Sequence, residues 1–152
     1  MIQRRKVATA DEKEVSVMDT KNIAILYVDD EKENLRVLEL LMRRKFKIFV
    51  AQDAEAALEV LSQNKIHVIL TDEKMNGMNG TELLKVVDEK YPHIIKMLPT
   101  GDDNQVSVRN ALKSQDIFAC VIKPFDRKSL GDLFINGYQK LIEEGYAPVL
   151  ER

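Results

Sequence analysis

His67-Val-Ile-Leu-Thr-Asp72-Glu-Lys-Met-Asn-Gly77-Met-Asn-Gly80 is the stretch on which the fold turns. Val68, Ile69 and Leu70 form a short unbroken apolar run, the pattern of a strand buried on both faces. Asp72 follows where such a strand leaves the core, and a glycine-rich loop comes next. In open parallel sheets, ligands collect outside the carboxyl ends of the strands. Asp72 is therefore expected to be a reactive group. Taken alone, the stretch equally suits an aspartate that caps a helix or closes a turn.

Upstream, Ile23 to Val28 is a second continuous apolar run, and it ends in Asp29-Asp30-Glu31. Leu35, Leu38, Leu41 and Met42 then recur at helical spacing. Phe46 to Val50 reads as a short strand, and Lys47 within it suits a sheet edge. A helix is expected over Ala54 to Gln63, with Ala57, Leu58 and Leu61 inward and Asp53 as its cap.

Downstream, Thr81 is expected to cap a helix carrying Leu83, Leu84 and Val87, which ends before Tyr91-Pro92. Ile94 to Leu98 and Ile117 to Ile122 read as the fourth and fifth strands. A polar helix is expected between them, over roughly Asn104 to Ser114, and a last one from about Arg127 to Glu144. Strands alternating with helices imply right-handed crossovers and a parallel sheet covered on both sides. The expected class is α/β, a flavodoxin-like doubly wound five-stranded parallel sheet in the order 2-1-3-4-5.

The 152 residues are 45% hydrophobic and 32% charged, which suits one globular domain. A net charge of -2 argues against general nucleic-acid affinity. Cys120 is the single cysteine, so no intramolecular disulfide forms and a reducing, cytoplasmic compartment is expected. No run is long enough to span a membrane. Residues 1–20, with Arg4, Arg5 and Lys6 ahead of Asp11, Glu12, Glu14 and Asp19, read as an N-terminal arm. Residues 21–144 form the expected domain, and 145–152 a short tail whose Tyr146, Val149 and Leu150 suit docking on a neighbouring surface.

Asp29, Asp30 and Asp72 all fall at strand ends. With strands one and three adjacent, these carboxylates converge. Two like charges at about 4 Å repel by roughly 4 kcal/mol at an effective dielectric near 20, so three call for a cation. Clustered oxygen ligands favour Mg²⁺, with Mn²⁺ the alternative. His67 and His93 are isolated and there is no cysteine cluster, which argues against a zinc site. Thr100 and Lys123 end the fourth and fifth strands. Together these positions offer metal ligands, a carboxylate nucleophile, a hydroxyl and a fixed cation, suited to forming an acyl phosphate.

Over residues 21–144 the chain resembles the receiver domains of bacterial two-component response regulators. Val28-Asp29-Asp30-Glu31 matches the acidic pair that holds Mg²⁺, and Asp72 the phosphorylated aspartate. The resemblance implies that Lys74 lends its backbone carbonyl to the metal and that Thr100 is the switch hydroxyl. It further implies that Lys123 pairs with the phosphoryl group and that Pro124 is the family's cis-proline. The implied partners are a sensor histidine kinase or phosphotransfer protein and an unknown downstream protein, with no DNA-binding domain in this chain. A homodimer through the fourth helix, fifth strand and fifth helix is the implied assembly. The 23-residue separation of Thr100 and Lys123 resembles a subgroup often fused to cyclic-di-nucleotide phosphodiesterase or phosphatase domains.

Three positions depart from the family pattern. Asn76 replaces a proline. Pro99 is expected to shift the end of the fourth strand, because it has no N–H. Cys120 stands at the aromatic switch position, and Phe118 is expected on the same strand face as Cys120. These departures motivate the alternative of a degenerate receiver acting as a constitutive interaction module. An aspartate-dependent phosphatase fits less well, because Lys74 occupies the position of its usual second acid.

Overall fold

The computed structural model describes residues 19–100, the last by its backbone, and 117–150. A 3-10 turn (Thr20–Asn22) leads into β1 (Ala24–Val28), α1 (Lys32–Met42), β2 (Lys47–Ala51), α2 (Ala54–Gln63) and β3 (Val68–Thr71). Then come α3 (Gly80–Lys90), β4 (Ile95–Thr100), β5 (Ile117–Ile122) and α4 (Arg127–Glu143). The predicted helix over Asn104 to Ser114 and nearly all of the N-terminal arm lie outside the described residues.

All strand pairings are parallel, in the order β2-β1-β3-β4-β5. Every residue of β1 and β3 is buried, which is why both read as unbroken apolar runs. Side chains alternate between two layers. Ile25, Tyr27, Val68 and Leu70 face α1 and α4, whereas Leu26, Val28 and Ile69 face α2 and α3. β2 is an edge strand with Lys47 exposed, as its sequence implied. Among the described residues no helix is long and apolar enough to cross a membrane.

Two expectations about β4 and β5 are corrected. β4 runs through Pro99 to Thr100 instead of stopping at Leu98, with Pro99 in register with Val121. Its pairing with β3 ends at Met97. Proline's missing N–H therefore breaks no ladder on that side. Phe118 is not on the face of Cys120. The register jumps from Lys96↔Ile117 to Met97↔Ala119, so Phe118 is the extra residue of a bulge. It packs into the α1–α4 layer, while Cys120 packs against the α2–α3 layer.

Lys96, in the middle of β4, is buried, and its Nζ donates to the Ile94 carbonyl at 3.1 Å. It also pairs with Asp88 of α3 at 3.1 Å, which satisfies a charge that burial alone would make costly.

α4 closes in a Schellman turn. Gly145 takes φ +82°, its N–H donates to Ile142, and the Tyr146 N–H donates to Leu141. The tail then folds back on its own domain. Tyr146 stacks on His93 at 3.5 Å between ring centroids, Tyr138 Oη donates to the Pro148 carbonyl, and Leu150 is buried in the α1–α4 layer.

The same pole holds His67, whose Nδ1 accepts the Ala24 N–H at 3.0 Å beside the edge of Tyr138. Burial, with Lys65 nearby, lowers its pKa to about 4. The unfolded chain, with histidine near 6.5, binds more protons between those values, so stability falls as pH drops through this window. Allowing for partial solvent screening, the expected loss is about 2 kcal/mol at pH 4.5. His67→Asn keeps an acceptor without the titration. Urea unfolding of the variant at pH 7 and pH 4.5 should show that part of the loss removed.

Candidate phosphoryl-acceptor site

Backbone pairing carries past the strand ends and sets the carboxylates side by side. The Asp29 N–H donates to Ala51 and the Asp72 N–H donates to Val28. Asp29, Asp30 and Asp72 each offer an oxygen within 4.8 Å of the others. Asp29 is buried, and the other two are half-buried. From the end of β5, Lys123 Nζ reaches Asp72 Oδ1 at 3.2 Å and Asp29 Oδ2 at 3.8 Å. The Lys123–Pro124 peptide bond is cis.

Asp29 is held from several sides. Tyr27 Oη donates to its Oδ2 at 2.7 Å and Asn34 Nδ2 to the same oxygen at 3.1 Å, while the Glu31 N–H donates to Oδ1 at 2.9 Å. Burial, followed by the hydrogen bond to Asp29 and the surrounding carboxylates, pushes the Tyr27 pKa far up. The hydroxyl therefore stays a donor. Sequence reasoning missed both side chains. Tyr27 read as core, within the apolar run Ile23 to Val28, and Asn34 drew no reading at all.

The loop after Asp72 is pinned at its ends. The Gly80 N–H donates to the Glu73 carbonyl, and the Glu73 carboxylate accepts from both the N–H and the hydroxyl of Thr81. Thr81 is thus not the helix cap. Asn79 is, in a capping box in which its side chain accepts from the Glu82 N–H and Glu82 returns a bond to the Asn79 N–H. Gly77, at φ +80°, makes the turn.

Lys74 lies in this loop with an exposed side chain. Thr100 ends β4 in register with Ile122, one residue before Lys123. Cys120 is half-buried in register with Leu98, and burial raises its thiol pKa.

Three carboxylates against one ammonium leave an excess of negative charge with only oxygen donors. That set fits a hard divalent cation such as Mg²⁺. Beside it, a cavity of about 410 Å³ is lined by Tyr27, Asn34, Val37, Leu41, Lys123, Pro124 and Phe125.

A doubly wound sheet carries an acidic cluster and a lysine at its carboxyl edge, the place where open parallel sheets bind ligands. The family described as response regulator receiver domain matches residues 25–134, and the chain belongs to it.

Sporulation initiation phosphotransferase F of Bacillus subtilis is 31% identical over 116 residues, covering 73% of this chain and 90% of that protein. Hydrogenase transcriptional regulatory protein HoxA of Cupriavidus necator is 28% identical over 108 residues, 71% of this chain but 22% of its own length. The chain thus spans about a fifth of that longer regulator. A receiver domain protein structure from Clostridium thermocellum matches with TM-score 0.73 at 25% identity, covering 80% of this chain and 99% of its own. Residues 25–134 are thus a two-component receiver domain, a class of signalling switch, and the degenerate alternative is not favoured.

Proposed function

We propose that Asp72 is the phospho-acceptor, with Asp29, Asp30, Asp72 and the Lys74 carbonyl holding Mg²⁺. The observation that carries this reading is the convergence of three carboxylates with Lys123 Nζ, 3.2 Å from Asp72 Oδ1. When bound, the metal supplies charge neutralisation for the transferring group. A carboxylate oxygen of Asp72 attacks phosphorus, the donor's bond to phosphorus breaks, and the leaving group departs with that electron pair. Lys123 then faces a phosphoryl oxygen and offsets its charge. Thr100 is the proposed switch hydroxyl and Cys120 the residue at the aromatic switch position.

The donor is a sensor histidine kinase or phosphotransfer protein in the cytoplasm. Val37, exposed on α1 and lining the cavity beside the site, gives it an apolar contact. A downstream protein reads the result. A homodimer through the predicted 104–114 helix, β5 and α4 is the assembly proposed, the first of these lying outside the described residues.

Incubation with an acyl phosphate and Mg²⁺ should add the mass of one phosphate, labile to hydroxylamine and absent in Asp72→Ala. No such product from either an acyl phosphate or a phosphohistidine donor would refute the assignment.

A further inference from the structure

We propose that Tyr27 is a positioning residue for the metal site, its hydroxyl fixing the rotation of the Asp29 carboxylate within the acidic cluster. The inference rests on the phospho-acceptor reading above. Tyr27 and Asp29 are both fully buried. A hydroxyl in an apolar layer is costly unless it is bonded, and this one ends on Asp29 Oδ2 at 2.7 Å. Asn34 Nδ2 takes the same oxygen at 3.1 Å.

A carboxylate oxygen has two lone-pair positions, so these two bonds take up both on Oδ2, which also lies 3.8 Å from Lys123 Nζ. Oδ1 accepts only the Glu31 N–H among these bonds, at 2.9 Å. Among the described residues, the acceptor position left on Asp29 is on Oδ1. The two bonds to Oδ2 thus fix the rotation at which the Asp29 carboxylate is presented to the acidic cluster. Without the tyrosine hydroxyl, Oδ2 regains a free lone pair and the carboxylate gains rotational freedom.

The tyrosine ring is itself fixed. Phe125 meets it edge-on, with centroids 5.8 Å apart and planes at 79°. Phe125 lies two residues past Lys123, so one side chain braces the acidic cluster against the loop that brings the lysine. An aliphatic residue would fill the same core volume and leave Asp29 one donor short.

Tyr27→Phe keeps the ring and removes the donor. Calorimetric titration of the full chain should show Mg²⁺ binding weakened by about tenfold. Phosphorylation by an acyl phosphate should slow at limiting Mg²⁺ and return to the wild-type rate at saturating Mg²⁺. A purely structural role would not produce that split between affinity and rate. Asn34→Ala, on a half-exposed helix position, removes the other donor to Oδ2 and should weaken Mg²⁺ in the same direction. It carries the test if Tyr27→Phe does not fold. Wild-type Mg²⁺ affinity in either folded variant overturns the proposal. So does a rate that stays low at saturating Mg²⁺ with affinity unchanged, which would assign Tyr27 to Lys123 instead. If the wild-type chain neither binds Mg²⁺ nor gains a phosphate, the phospho-acceptor reading itself fails, and that outcome is distinct from a failure confined to the variants.

Discussion

Gly80→Ala should destabilise the domain by about 3 kcal/mol and abolish phosphorylation of Asp72. A Cβ at this position would lie 2.2 Å from the Asp72 carbonyl oxygen and 3.0 Å from both its carbonyl carbon and Glu73 Cα. These are backbone atoms and cannot swing aside as a side chain would. Either the first turn of α3 is displaced or the Asp72–Glu73 peptide tilts, and the second response re-aims the nucleophile. Helix propensity predicts the opposite sign, because alanine is about 1 kcal/mol better than glycine inside a helix. Urea unfolding therefore separates the two effects cleanly. A neutral or stabilised variant with normal phosphorylation would show that the loop relaxes at little cost.

Lys123→Ala should move metal affinity and phosphorylation in opposite directions. The ammonium lies 3.2 Å from Asp72 and 3.8 Å from Asp29, and it competes with a bound cation for the same carboxylates. Its removal leaves the cluster more negative. Mg²⁺ should bind about tenfold tighter, well under the bare Coulomb figure, because the lysine is partly exposed and screened. Phosphorylation should slow by about 100-fold, since a charged partner of the transferring group is lost. Titration calorimetry and a single-turnover phosphorylation assay measure the two quantities. A fall in both would mean that Lys123 chiefly holds the site's shape.

The parts of the fold legible in the sequence were those governed by local pattern. β1 and β3 stood out because burial on both faces leaves no polar position. α2 was bounded by its Asp53 cap, whose side chain accepts from the Ala56 N–H. Strand order had no local signature and was taken from the common flavodoxin-like order of doubly wound sheets. The cap of α3 was misassigned although Asn79 and Glu82 stand three apart, the spacing of a capping box. Thr81 competed as a signal, and its own partner, Glu73, lies eight residues away in sequence. Phe118 was misplaced because period-two counting fails across a bulge, and no single residue announces that bulge.

The candidate site was legible as a set of strand-end residues. The groups that hold it in place were not. Tyr27 and Asn34 serve Asp29 from within a strand and across a helix, and Lys96 finds Asp88 on another element.

The loop between Glu73 and Gly80 separates two kinds of constraint. Its closure depends on a backbone bond and the Glu73–Thr81 contacts at the ends of the loop, and on Met75, which packs inward against the α2–α3 layer. Lys74, Asn76 and Met78 are exposed between those anchors. Their side chains are free to change without disturbing the carboxylate beside them. Substitution at these three positions should therefore reshape the rim around the proposed acceptor, and with it the surface a partner meets, while the acidic cluster stays in place.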